Sequence, residues 1–271
     1  AHPVDHPRLT VFRSRDRIEI KSAAELQVMR AAGLVVARTL ERVAEMTVPG
    51  VTTREMDECA AQSIRDEGAM PSFLGYHGYP AHICVSVNEE VVHGIPSARV
   101  VAEGDLVSVD CGAIVDGWHG DAAITILVGD VAPDLRELSR VTEESLWAGL
   151  RAARPGNRLS DIGHAVESSI RANGAAYGIV EEYVGHGIGS SMHMDPAVPN
   201  YGRPGKGPRL VPGMALAVEP MVILGDPTVE VLDDEWTVVA SDGSHACHWE
   251  HTVAITDDGP WVLTALDDVR L

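Results

Sequence analysis

The sequence predicts an α+β fold of two related halves, each built as helix, helix and then sheet. Three observations carry this. First, landmarks recur at one interval. Pro49-Gly50 returns as Pro155-Gly156, Ser63-Ile64-Arg65 as Ser169-Ile170-Arg171, and Gly68-Ala69 as Gly174-Ala175, each 106 residues on. Self-similarity at a fixed interval marks a duplicated unit. Second, helical and strand periodicities occupy separate blocks within each half. Third, 271 residues with 45% apolar and 23% charged content give a globular chain with ample core material. The halves are expected at about 22–130 and 131–265, joined near Gly129 to Pro133. They form one domain, 21–271, behind an N-terminal arm of residues 1–20 that lies over the body or is disordered. Two halves about a pseudo-twofold axis leave a cleft between them, where ligand sites are favoured.

The elements follow in order. Ser22 and Glu25 form a capping box, and Leu26, Met29, Val36, Leu40 and Val43 make one apolar stripe, so a helix runs from Ser22 to Met46. Pro49-Gly50 ends it. A second helix is predicted from Thr53 to Glu67, with Gly68 as its stop. An irregular stretch rich in Gly, Tyr and Pro runs from Pro71 to Pro80. Strands are predicted at Ile83 to Val87, Leu106 to Val115 and Ala122 to Val128. The second half repeats this with helices at Asp134 to Ala153 and Leu159 to Asn173. Its strands are Ala215 to Leu224, Thr228 to Val231, Trp236 to Ala240 and Glu250 to Ile255.

Charge and cysteine content exclude several classes. There are 21 basic and 40 acidic residues, a net charge of −19, which opposes a general phosphate-backbone binder. The positive charges are almost all arginine, with lysine only at Lys21 and Lys206. Cys59, Cys84, Cys111 and Cys247 form no C-x-x-C pair and are too sparse for a disulfide scaffold, so reduced thiols and a cytoplasmic setting are expected. No apolar run reaches the roughly 18 residues of a membrane span, and residues 1–17 have no secretory signal pattern.

The chemistry begins at Asp110. Asp116-Gly117 is a two-residue hairpin signal. Centred there, Asp110 pairs with Ala123, and Asp121 falls on the same face, about 7 Å away diagonally. These are either surface charges of a hairpin or a buried pair needing a partner. The apolar run Leu106 to Val109 favours the second. Val184-Gly185-His186-Gly187-Ile188-Gly189 flanks a histidine with glycines, which leaves the ring accessible and the backbone free to bend. A lone histidine is otherwise most often structural. Glu219 and Glu250 each interrupt an apolar strand, as exposed residues or as buried acids with a partner. Four carboxylates and one neutral imidazole balance two divalent cations, and oxygen-rich ligation suits Mn²⁺, Fe²⁺ or Co²⁺. Such a pair of ions activates water and polarises an acyl oxygen. His245, Cys247, His248 and His251 crowd around Glu250, but strand alternation keeps them from converging. Of that group only Glu250 is taken as a ligand; the histidines are read as surface residues or as support behind the ligands.

At these residues the chain resembles bacterial type I methionine aminopeptidases, which have a two-halved "pita-bread" fold. The resemblance spans Ser22 to Thr264. It rests on Leu74-Gly75-Tyr76-His77-Gly78-Tyr79-Pro80, Val91-Val92-His93-Gly94-Ile95-Pro96, Asp116-Gly117-Trp118-His119-Gly120-Asp121, Gly185-His186-Gly187-Ile188-Gly189, Val218-Glu219-Pro220 and Glu250-His251-Thr252. It implies removal of N-terminal methionine from nascent chains or peptides with a small second residue, by a dimetal-bridging water or hydroxide attacking the first peptide carbonyl. Asp121 and Glu250 would bridge two metals, Asp110 would chelate one, and His186 and Glu219 the other. His93 would contact the scissile nitrogen, His193 the carbonyl and oxyanion, and Glu219 would accept the water's proton. Tyr76, Tyr79, Cys84 and Trp236 would line the methionine pocket. Phe73, where well-known members carry a smaller residue, and Met192, where they carry phenylalanine, would alter its shape. A monomer is expected, with no membrane contact. Arg203, Lys206 and Arg209, on one flexible loop, are a candidate ribosome-docking patch.

Two rival readings are weighed against this one. The first is an X-Pro aminopeptidase or prolidase of the same fold, opposed by the Tyr76–Tyr79 segment and the short chain. The second is a binding module that kept the fold and lost the chemistry, opposed by the intact set of five ligand-type residues.

Overall fold

The computed structural model describes residues 18–174 and 177–271. Most of the N-terminal arm (residues 1–17) and Ala175 of the third repeat landmark lie outside them. Helix α1 spans Ala23–Met46, with Ser22 and Glu25 closing the expected capping box. Helix α2, Thr53–Asp66, carries a second box made by Thr52 and Glu55. Each box satisfies otherwise orphaned N–H groups and is worth about 1 kcal/mol. Helices α3 (Pro133–Ala152) and α4 (Leu159–Ala172) repeat the arrangement. The 106-residue interval maps the bounds of α2 directly onto those of α4. Gly50 and Gly156 both stand at positive φ, 103° and 92°, where a side chain is disfavoured.

The duplication extends to backbone hydrogen bonds. Gly50 N–H donates to Val101 and Thr53 N–H to Arg99. In the second half Gly156 N–H donates to Leu210 and Leu159 N–H to Pro208. The loop of Arg203, Lys206 and Arg209 is thus the counterpart of Ser97 to Val101 in the first half. It is exposed and hydrogen-bonded to the start of α4. Lys206 N–H donates to Ser160 Oγ, and the Arg209 guanidinium donates to the Gly156 carbonyl.

The central sheet is antiparallel throughout the site. Leu106–Val115 and Trp118–Leu127 form the predicted hairpin, and Asp110 pairs with Ala123 as its turn requires. Beyond it come Glu250–Thr256, Ala215–Val218, Gly185–Gly187 and Met194–Val198. Ile83–Val87 covers the other side of the hairpin. Alternation then sorts the residues by face. Val107, Val109 and Cys111 join the first core with Val36, Leu40, Met56 and Ile64 of α1 and α2. Leu216, Val218, Val253 and Ile255 join the second with Leu138, Leu146, Ile162 and Val166 of α3 and α4. Asp110, Ala217, Glu250 and Thr252 alternate with these and point the other way. The helices therefore claim one face of the sheet, and the chemistry gathers on the opposite one.

Two expectations are corrected. Ala215 to Leu224 is not one strand: Ala215–Val218 stops at Glu219-Pro220, and Met221–Ile223 joins a separate sheet with Ala246–His248 and Gly178–Ile179. Proline has no N–H for a ladder, so the chain leaves the sheet there. The glycine-flanked histidine, expected to be accessible, is buried at 7% exposure on a short strand, Gly185–Gly187. Its glycines serve close approach: a Cβ at Gly185 would sit 2.3 Å from the Ala217 carbonyl oxygen, and one at Gly187 2.2 Å from that of Asp195.

Candidate metal centre

Register assembles the site in two rows. Cys84 pairs with Asp110, Asp110 with Ala123, and Ala123 with Glu250. His251 pairs with Val218, so one further step places Glu219 opposite Glu250. In the adjacent row His186 pairs with Ala217, Ala217 with Thr252, and Asp121 N–H donates to Thr252 Oγ1. Ala123 and Ala217 are the small residues within these two rows, whereas a Cβ at Gly112 would run into Ser72 and Phe73.

The five expected ligand residues come together here. His186 Nε2 lies 3.5 Å from Glu219 Oε1 and 3.9 Å from Asp121 Oδ2. Ligand atoms of Asp121, His186 and Glu250 lie within 4.8 Å of one another. Asp121, His186, Glu219 and Glu250 are buried and Asp110 is half-buried. His186 Nδ1 lies 2.9 Å from the Gly187 carbonyl, so Nδ1 carries the proton and Nε2 keeps its lone pair for a cation.

The donor set fits divalent cations. Asp110 Oδ1, Asp121 Oδ1 and Glu250 Oε1 are buried without a hydrogen-bond partner among the described residues. Among the described residues their only ion-pair neighbours are His186 for Asp121 and His248 for Glu250, and Asp110 has none. Burial, reinforced by mutual repulsion, holds Asp121, Glu219 and Glu250 well above the usual carboxylate range, and burial lifts Asp110 to about 7. Burial drives His186 the other way, to about 4, so its ring is neutral and able to ligate. An arrangement that costs this much in ionised form calls for positive charge.

A pH prediction arises from these shifts. A carboxyl raised by folding stabilises the fold at low pH, and that contribution is lost as pH rises from about 4 through its folded value, about 7 for Asp110. An imidazole lowered by folding destabilises as pH falls from about 6.5 toward its folded value, about 4 for His186 and about 3 for His248. The two trends oppose each other in the metal-free protein. Cations remove the first by holding the carboxylates ionised. At pH 6, Mn²⁺ binding should release more than ~2 protons per chain. Calorimetry in two buffers of different ionisation enthalpy measures this, and fewer than about one proton would sink the assignment.

Asn200 was not singled out from the sequence, Thr252 entered only as part of a motif, and His248 was read as either a surface residue or support behind the ligands. His248 is 1% exposed, with its Nε2 3.8 Å from Glu219 and 4.0 Å from Glu250, so of the two readings it is the one behind the acids that the structure matches. Its two-residue spacing from Glu250 was the available signal, although the two lie on separate strands, Ala246–His248 and Glu250–Thr256. Asn200 is fully buried and donates from Nδ2 to the Glu219 carbonyl, holding the corner before Pro220. Thr252 grips the backbone of Asp121 from both sides, accepting its N–H and donating to its C=O. His251 faces away, against Trp147 and Thr264.

The expected pocket residues form one apolar cluster. Phe73, Tyr79, Ala81, Cys84 and Met192 are buried together, with Tyr76, Ile95 and Trp236 packed at their edge. Tyr79 satisfies its hydroxyl on the Ile83 and Gly94 carbonyls, so it presents only its ring. Trp236 stacks edge-on against Tyr79 at 5.0 Å. His93 borders this pocket, 6.5 Å from the Trp236 ring, and is held at a strained φ of 61°. His193 stands over His186 with ring centroids 4.2 Å apart.

Comparison with known proteins places this architecture. The profile of metallopeptidase family M24 matches residues 27–257. The chain belongs to that family. Within M24 it is 56% identical over 261 residues to methionine aminopeptidase 1 of Mycobacterium tuberculosis, covering 94% of this chain and 98% of that one. The crystal structure of methionine aminopeptidase from Thermotoga maritima superposes with a TM-score of 0.90 at 44% identity, covering 92% of this chain and all of that one. The prolidase of Pyrococcus furiosus shares the fold alone, with a TM-score of 0.75 at 24% identity. The M24 chain thus has the pita-bread architecture that its motifs implied.

Proposed function

We propose that the protein is a metal-dependent methionyl aminopeptidase that removes N-terminal methionine when the second residue is small. The observation that carries this reading is the Cys84–Asp110 pair, which seats the apolar pocket directly against the acidic centre. A methionine side chain fills the pocket while its own carbonyl lies over the carboxylates. Asp110, Asp121, His186, Glu219 and Glu250 would hold two divalent cations, with Mn²⁺, Fe²⁺ and Co²⁺ all suited to the donors. When bound, such ions polarise the scissile carbonyl and activate water.

This chain's residues supply the remaining steps. Glu219 takes up the proton released as water attacks the first carbonyl. His193 donates a hydrogen bond to the oxygen that gains charge. His93, kept neutral by burial that lowers it to about 4, contacts the departing amide nitrogen. A large second residue clashes where the pocket meets the cleft mouth. The substrates are nascent polypeptides and peptides, and the protein works as a cytoplasmic monomer. Arg203, Lys206 and Arg209 would be the contact for a ribosome, against the net charge of −19 carried by the chain as a whole.

The test is hydrolysis by metal-stripped protein, with Mn²⁺, Fe²⁺ or Co²⁺ restored anaerobically. Metal-dependent release of methionine is expected from Met-Ala-Ser, with none from Met-Leu-Ser or Arg-Pro-Pro. Cleavage of Arg-Pro-Pro alone would move the protein to the proline-specific class. No cleavage with any metal would return the binding-module reading.

A further inference from the structure

The Tyr76 hydroxyl lies 2.8 Å from His193 Nδ1. The rings sit 5.2 Å apart at a shallow tilt, and His77 packs edge-on against the other side of Tyr76 at 4.3 Å. The loop that presents Tyr76 is tightly built. Gly75, His77 and Gly78 all take positive φ, and Gly75 N–H donates to the Tyr79 carbonyl across the knot. Tyr79 turns inward and places its hydroxyl on two backbone carbonyls, whereas Tyr76 places its hydroxyl on His193. The two tyrosines of one motif therefore have different work.

We propose that Tyr76 is a positioning residue that sets the tautomer of His193 for the hydrolysis assigned above. This inference rests on that functional reading. The direction of the hydrogen bond follows from the partners. A pyridine-type imidazole nitrogen is a far better acceptor than a phenol oxygen, and a neutral phenol has one proton to give. Among the described residues His193 is the sole hydrogen-bond partner of the Tyr76 hydroxyl. The phenol therefore donates to Nδ1, and the imidazole carries its own proton on Nε2. Only that tautomer offers an N–H from Nε2 to a substrate carbonyl. Without the phenol, His193 divides between two tautomers and two ring orientations, and the donor is present only part of the time.

The experiment uses the full-length protein labelled with ¹⁵N-histidine, together with the Tyr76→Phe variant. Long-range ¹H–¹⁵N correlation spectra report which nitrogen is protonated, and the His193 resonance is identified by its loss in His193→Ala. The unaltered protein should show Nε2–H. Tyr76→Phe should show a mixture, with kcat lowered about tenfold and KM for Met-Ala-Ser within about twofold. An Nδ1–H tautomer in the unaltered protein overturns the proposal. So does a Tyr76→Phe variant whose tautomer and kcat are unchanged, or one in which KM alone rises, since Tyr76 would then be only a pocket wall. The tautomer is read without turnover. Absence of methionine release from the unaltered protein would count against the functional reading and leave the spectroscopic result standing.

Discussion

Glu250→Gln is expected to eliminate metal-dependent hydrolysis, lowering kcat/KM by about 10³-fold or more, and at the same time to stabilise the metal-free protein. The two effects have one cause. Glu250 is 2% exposed, and burial together with the charges of Glu219 and Asp110 pushes its pKa well above the carboxylate range. In the absence of cations, at neutral pH, the fold must either ionise this group among other acids or hold it protonated, and both cost stability. A glutamine of the same shape removes that cost. It also removes one of the four negative charges that would balance two divalent ions. Melting curves with chelator should therefore shift upward by several degrees, while added Mn²⁺ should raise the variant's melting temperature far less than that of the unaltered protein. Metal-dependent turnover within about tenfold of the unaltered rate, or a lower melting temperature with chelator, would sink the assignment of Glu250.

His193→Ala should lower kcat by about 10²–10³-fold while leaving metal content and KM nearly unchanged. His193 stands beside His186 but takes no part in the group of buried acids. In the proposed role its removal would withdraw a hydrogen bond that strengthens only as charge develops on the carbonyl oxygen, so the loss would fall on the transition state rather than on substrate binding. Single-turnover rates and metal analysis of the purified variant measure both quantities. A variant that loses its metal, or one in which only KM rises, would move His193 from oxyanion stabilisation to metal support or to the pocket.

The legible parts of this protein were local or additive. The 106-residue interval identified the paired helices because each helix is set by nearby residues: an apolar stripe, a glycine after its last turn, and a start signal such as the Ser22 and Thr52 caps or Pro133. The Asp116-Gly117 turn fixed the hairpin register because a two-residue loop permits one pairing, and that register brought Asp110 and Asp121 to one face. Strand breaks were harder to see. Ala215 to Leu224 is apolar throughout apart from Glu219-Pro220, so its composition does not show that its two ends belong to different sheets. His248 was discounted because a crowd of His, Cys and Glu on neighbouring positions cannot converge within a single strand. In the structure the chain breaks at Trp249, between two strands, and His248 reaches Glu219 and Glu250 from the side.

The sequence by itself determined the α+β duplication, the acids that stand out in apolar strands and the family motifs that connect them, since each depends on residue type and short-range spacing. Tertiary structure alone decided which carboxylates lie within reach of His186, that Thr252 and Asn200 anchor the ligand-bearing backbone, and that Tyr76 rather than Tyr79 meets His193. Those contacts join segments more than a hundred residues apart in some cases and depend on strand pairing across the two halves. Only the packed sheet fixes them, because ångström-scale distances, not residue types, decide which buried charges lie close enough to share a cation and which hydroxyl meets a ring nitrogen.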